Sequence, residues 1–173
     1  YLTNTSDGKA VFIFSNNTHQ GGSGATAMCK ANACLGPNSS YSEGPNTAIT
    51  ELPTTTDWPN VNLYTEPRTI TNEAGTTVVS NYLYTEKAAR FATVDEIKAA
   101  TTASLNGTTN ELASYTFLLE NTKTYGDCRS NYWLETPKSG GGAYRIDGDP
   151  ANKKLGHADG NSGVRPVIEI RVK

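Results

Sequence analysis

Asp147, Asp149, Asn152, Asp159 and Asn161 fall close together in the last third of the chain. Closely spaced carboxylates and amides are the ligands a hard cation such as Ca²⁺ takes. The run lacks the residue order of an EF-hand loop and its closing Glu, and Asp-Gly and Asn-Ser-Gly are ordinary turn residues. Turns outweigh calcium near Asp147 and Asp149, and no cofactor or metal is expected. A second constellation is Cys128 beside Arg129, with His157 and Asp159 downstream. A cysteine nucleophile needs a base in reach and a lowered pKa. Both residues sit in Gly/Asn-rich stretches that would position them poorly. The third is Arg165 in Gly163-Val-Arg-Pro-Val167. An arginine in an apolar strand is costly unless satisfied, so backbone carbonyls or a carboxylate such as Glu135 or Glu120 should clamp it.

The elements that must hold these residues are legible in outline. Ala10–Phe14 is a continuous apolar run short enough for a buried strand. Trp58–Tyr64 alternates apolar and polar residues like a half-buried strand. Asn72–Gly75 is turn chemistry, and the β-prone residues Val78, Val79 and 81–84 after it predict a hairpin. Thr93 followed by Glu96 is a capping box that starts a helix, and the apolar spacing at 112, 115, 118 and 119 predicts a second helix over 111–120. Strands are expected at 131–135, around 143–146 and at 164–172, with a short segment near Leu155. Strands at both ends and helices between them predict an α+β domain whose first and last strands meet in one antiparallel sheet.

Two apolar motifs, at 131–137 and 163–170, bracket a stretch made almost entirely of Gly, Asp, Asn, Lys and Ala. A rigid frame around a polar surface points to binding more than to a reaction centre. Trp133, Tyr144, Arg145, Asp147, Asp149, Asn152 and His157 are the candidate ligand-binding side chains. No Ser-His-Asp signature, phosphate loop, dinucleotide fingerprint or metalloprotease motif is present.

Composition narrows the class further. The chain has 173 residues, within the range of one domain. Its 24 Thr and 16 Asn, with only 18% charged residues, favour strands, turns and loops. Two Trp and nine Tyr supply a core and argue against disorder. A net charge of −2 with both signs interspersed carries no basic footprint for nucleic acid, and no apolar run approaches the ~20 residues that span a bilayer. The Thr/Asn bias with few Lys and Glu reads as an exported bacterial surface protein. A chain opening on Tyr1 is expected to be a processed or truncated product. Cys29 and Cys34 suit a small disulfide loop in an oxidising compartment, although Cys128 could instead pair with either. Residues 1–57 then form an N-terminal strand plus a loop-rich insertion of the same domain. Loops as long as 15–56 usually carry function or mobility.

Leu119–Thr122, Tyr132-Trp-Leu-Glu-Thr-Pro137, Ala143-Tyr144 and Gly163-Val-Arg-Pro-Val-Ile168 resemble a family of uncharacterised domains in exported proteins of Gram-positive gut bacteria. Ala89-Arg90-Phe91 through Glu96-Ile97, and Trp58-Pro-Asn-Val with Glu66-Pro-Arg68, fit the same pattern. The resemblance covers residues 58–173, and the first 57 match nothing in it. It implies a C-type-lectin-like core over 58–173, akin to formylglycine-generating enzymes, in which the termini pair, two helices flank the sheet and the ligand face lies before the last strand. Formylglycine-generating enzymes use a late cysteine pair, and no cysteine follows Cys128 here. Some relatives follow a pilin-type N-terminal helix. The expectation is therefore a non-catalytic, extracellular domain for binding or assembly, as the globular head of a type IV pilin-like subunit or adhesin. Its partners would be other subunits of a surface filament or a host or cell-surface ligand, and not nucleic acid or membrane. The alternative is a secreted hydrolase or modifying enzyme using Cys128 and His157.

Overall fold

The computed structural model describes residues 1–5, 8–15, 46–61, 68–82, 84–105, 107–119, 131–139, 142–158 and 162–171. The expected pairing of the chain ends is present. The apolar run at Ala10 forms β2 (Lys9–Ile13), which lies antiparallel to β8 (Val167–Arg171), with β1 (Thr3–Asn4) on its other edge. In the register Val11 opposes Glu169 and Ile13 opposes Val167, whereas Phe12 opposes Ile168 and Ala10 opposes Ile170. Because side chains alternate across a strand, one face takes Val11 and Val167 into the core and the other leaves Ile170 exposed.

The turn at Asn72–Gly75 joins β3 (Arg68–Thr71) to β4 (Thr77–Tyr82). Asn72 Oδ1 accepts the amides of Ala74 and Thr76, and Gly75 supplies a φ of +77° that a side chain would resist. The hairpin therefore begins earlier than the apolar residues after the turn suggested. Trp58–Val61 turns instead of extending, with the Val61 amide donating to the Trp58 carbonyl, and Trp58 stacks on Phe14 at 5.0 Å. The remainder of the predicted 58–64 strand lies outside the described residues.

α1 (Val94–Ala100) starts on the expected capping box: Thr93 Oγ1 accepts the Glu96 amide, and Glu96 Oε2 accepts the Thr93 amide. The second helix is much shorter than its spacing implied, since α2 is only Thr116–Leu119. Asn110 takes a φ of +64°, the Leu112 amide donates to the Lys153 carbonyl, and Glu111 Oε1 accepts the Leu155 amide. The polar groups of 110–112 are spent on a neighbouring strand, so a helix cannot propagate through them. A 3₁₀ helix at Asn46–Glu51 sets Ala48 into the core, with Leu52 buried just beyond it.

The third sheet orders β5 (Asn131–Pro137), β6 (Ala143–Asp147) and β7 (Lys154–Ala158), all antiparallel. β5 is buried along its whole length and divides the core in two. Tyr132 and Leu134 pack with Ile146, Leu155, Ile97 and Val11, while Trp133 packs with Tyr84, Phe91, Leu52 and Val164. The Glu135 amide donates to the Ala92 carbonyl, and the Trp133 amide donates to the Gly163 carbonyl. These facts define an α+β arrangement of antiparallel sheets with two short helices. No helix among the described residues is long and apolar enough to cross a membrane.

Three cations and three carboxylates join the sheets. Fully buried Arg90 donates to both oxygens of Glu96 and to Glu169, and its Nη1 also reaches the Phe91 carbonyl at 2.7 Å. Arg68 bridges Glu135 through two nitrogens at 3.2 and 3.1 Å and reaches Glu169 at 3.4 Å. Lys9 adds a third contact to Glu169 at 3.3 Å, and Tyr84 Oη donates to Glu135 at 2.6 Å. Burial disfavours a charged Arg68, but the Glu135 charge and its hydrogen bonds outweigh this and hold the guanidinium above its ordinary pKa. Removing one partner strands buried charge, which costs roughly 3–5 kcal/mol. Arg90→Met should lower unfolding stability by about that amount in urea titration. A loss under ~1 kcal/mol would mean that solvent reaches Glu96 and Glu169.

Candidate functional site

The bracketed polar stretch is a hairpin more than a loop. β6 runs into a turn that its own carboxylates close: the Asp149 amide donates to Asp147 Oδ1 at 3.2 Å, the Ala151 amide to Asp149 Oδ1 at 2.8 Å, and the Asn152 amide to the Asp149 carbonyl at 2.8 Å. The other oxygen of Asp147 accepts from Arg145 Nη2 at 3.3 Å. The two aspartates are thus occupied as turn locks, which is the chemistry that Asp147-Gly148 suggested. Among the described residues no group of three His, Cys, Asp or Glu side chains gathers as a metal site.

A cleft of about 500 Å³ opens at this hairpin, edged by Lys138, Tyr144, Arg145, Asp147, Asn152 and Lys154. Leu105, Leu155 and Gly107 complete its wall. Gly107 is there because of close approach: a Cβ on it would lie 2.3 Å from the Leu155 carbonyl oxygen. A second groove of about 400 Å³ lies between the β3–β4 turn and α1, with Arg68, Glu135, Thr136, Asp95 and Lys98 along it. At its rim Glu73 accepts the Ser139 hydroxyl and, at 2.8 Å, the Ser139 amide. Burial would raise the Glu73 carboxyl, but these hydrogen bonds and the Lys138 charge bring it below its ordinary value.

Four of the seven candidate binding residues meet at the larger cleft: Tyr144, Arg145, Asp147 and Asn152. Trp133 does not. It is 1% exposed and packs in the smaller core cluster, because its position on β5 faces Tyr84 and Phe91, so it is corrected from contact residue to core. Tyr144 is 3% exposed and serves the larger core cluster while bordering the cleft. Burial and the Glu73 charge push its phenol above the ordinary pKa, so it stays a hydrogen-bond donor at neutral pH. Asp149 is exposed in the turn. The backbone of His157 pairs with Tyr144 across the strands. The His157 side chain, Asp159, Cys29, Cys34 and Cys128 lie outside the described residues, and with them the disulfide and the Cys–His pair.

Arg165 is 1% exposed, and four backbone carbonyls accept from its guanidinium: Phe14 at 2.7 Å, Ser15 at 2.7 Å, Leu118 at 2.5 Å and Phe117 at 3.0 Å. Glu135, one of the carboxylates expected to pair with it, belongs to Arg68 and Tyr84 instead. Glu120, the other, lies outside the described residues. The guanidinium also sits over the Tyr132 ring, 5.1 Å from its centroid. The residues given no role by the sequence are Lys138 and Lys154 at the cleft and Arg68, Arg90 and Glu169 in the charge network, whereas Glu135 was expected at Arg165. A charged residue inside an apolar run was the available signal for Arg90, Glu135 and Glu169. Lys138 and Lys154 carried none, since isolated lysines mark most surfaces.

No known protein-family model, curated protein or solved structure matches this chain.

The Tyr132 hydroxyl is buried without a hydrogen-bond partner of ordinary geometry among the described residues. Burial pushes its pKa from 10.0 up to about 12, with the Arg165 charge drawing it partly back. The folded state therefore holds the proton more tightly than the unfolded one. Stability is unaffected below pH ~10 and declines as pH rises from there toward ~12. Tyr132→Phe keeps the ring under Arg165 and removes the orphan hydroxyl. Its urea midpoint should match or exceed that of the natural chain at pH 7 and fall less at pH 11. A loss above ~1 kcal/mol at pH 7 would show that the hydroxyl has a real partner. Tyr144→Ala, by contrast, should cost roughly 3 kcal/mol through its core packing, read as a lower melting temperature.

Proposed function

We propose that this chain is the non-catalytic binding head of an exported bacterial surface protein, of C-type-lectin-like build, working as an adhesin or as the head of a pilin-like subunit. The observation that carries this reading is the cleft itself. Side chains that bind and orient, an arginine, an aspartate, an asparagine and a tyrosine, meet in one concavity on a rigid hairpin whose turn is locked by its own carboxylates. Concavities of this size are the usual seats of small-molecule and glycan-sized ligands. Pairing of the terminal strands and two short helices between them agree with what the family resemblance implies. The partners would be a host or cell-surface ligand, or neighbouring subunits of a filament, and the setting extracellular.

The face can be tested without disturbing the core, because Asn152 and Lys154 are only half-buried. The double variant Asn152→Ala with Lys154→Ala should keep the melting temperature within a few degrees. It should also lose at least about tenfold in binding to mucin-coated surfaces or in filament incorporation. Retention of both activities at the natural level would remove this cleft from the account.

A further inference from the structure

The β3–β4 hairpin is held unequally at its two ends. At its base Ile70 is 2% exposed, and Arg68 is bound to Glu135 and Glu169. Beyond Ile70 the chain is largely exposed, at Thr71, Ala74, Gly75, Thr76 and Thr77. The turn closes on itself: Asn72 Oδ1 accepts the Ala74 and Thr76 amides, and the Gly75 amide donates to the Asn72 carbonyl. Among the described residues, one hydrogen-bonded link runs from residues 72–76 to another element. It is Glu73, whose two oxygens accept the Ser139 amide at 3.1 and 2.8 Å and which also accepts the Ser139 hydroxyl.

Ser139 follows Lys138, whose amide donates to the Gly142 carbonyl at 3.1 Å and whose side chain edges the larger cleft. Glu73 lines the smaller groove, as do Asp95 and Lys98 of α1 and the Arg68–Glu135 pair. The Lys138 charge favours the ionised Glu73, and the Glu73 charge in turn acts on the Tyr144 phenol of β6. The contact therefore stands between the two concavities, which also share Leu105.

We propose that Glu73 and Ser139 form an acid-released latch: ionised Glu73 straps the hairpin tip to the β5–β6 turn, and its protonation frees the tip and loosens the cleft edge at Lys138. The latch acts in the free protein and stands or falls without the binding role above. Burial opposes the charged form of Glu73, but the hydrogen bonds from Ser139 and from its own backbone, with the Lys138 charge, outweigh it. The closed form therefore holds this carboxyl below its ordinary 4.5. The link is whole above pH ~4.5 and is lost as pH falls below that value. A protonated carboxyl keeps an oxygen to accept with but no charge, and neutral hydrogen bonds are about half as strong as charge-assisted ones.

The test is amide hydrogen exchange by NMR on the free protein, corrected for the intrinsic rate, with Glu73→Gln standing in for the protonated carboxyl. At neutral pH the Ser139 amide should lose about fivefold in protection in Glu73→Gln, the step from a charged to a neutral acceptor. The Lys138 and Tyr144 amide shifts should move with it. The Leu155 amide, bonded to Glu111, should exchange as in the natural chain. In the natural chain Ser139 should reach the same loss as pH falls below ~4.5, and Glu73→Gln should show no such step. Buried carboxylates of the charge network also titrate in acid, so the comparison at neutral pH decides. The proposal is overturned if Ser139 in Glu73→Gln is protected as in the natural chain, if the acid step persists in that variant, or if Lys138 and Tyr144 keep their shifts when Ser139 is released. Surface binding is not among these readings, so loss of the cleft's role in the double variant would leave the latch standing.

Discussion

Arg90 is the point on which the fold turns. Its guanidinium has no solvent contact, and its charge is balanced by Glu96 of α1 and Glu169 of β8. Its backbone meanwhile exchanges both hydrogen bonds with Val167. Through Glu169 the same network takes in Lys9 of β2 and Arg68 of β3, and through Arg68 it reaches Glu135 of β5 and Tyr84. Six charges, three of each sign, thereby connect all three sheets and a helix. Such a network adds little net stability against an apolar substitute of the same shape. It is selective instead: a displaced strand leaves a buried charge without a partner.

Arg165 does by hydrogen bonds to neutral groups what Arg90 does by ion pairs. One guanidinium fastens the end of β2, at Phe14 and Ser15, to α2, at Phe117 and Leu118. A planar cation with a fixed fork of donors suits several carbonyls at once, and lysine would not reproduce it. Between these two arginines the β5–β6–β7 sheet has its frame set from both sides. The cleft then rests on residues that are short of freedom, because the hairpin turn is closed by Asp147 and Asp149 and the loop bearing Gly107 is pressed against Leu155. A binding face on locked strands loses less entropy on engaging a ligand than one on an open loop.

Local signals in the sequence were read most accurately where a short stretch decides its own structure. The Thr93–Glu96 capping box, the Asn72–Gly75 turn and the apolar run of β2 are of this kind. The helix expected over 111–120 failed for the opposite reason. Its apolar spacing was sound, but Glu111 and Leu112 bind β7, which is over forty residues away in sequence, and tertiary hydrogen bonds overrode helical periodicity. Trp133 meets the same limit of local signals. An aromatic on a motif strand is compatible with a contact surface or with a core, and only the neighbours Tyr84 and Phe91 settle which.

The sequence by itself determined the α+β class, the pairing of the chain's two ends, the start of α1 and the need for Arg165 to be satisfied, because strand period, capping chemistry and the cost of a buried charge act locally. Tertiary structure decided which groups meet that need. It sent Glu135 to Arg68 and Tyr84, gave carbonyls to Arg165, and brought Tyr144, Arg145, Asp147 and Asn152 to one cleft. Partner choice between residues far apart in sequence depends on strand register and sheet packing. Those are properties of the assembled core, and no short segment carries them.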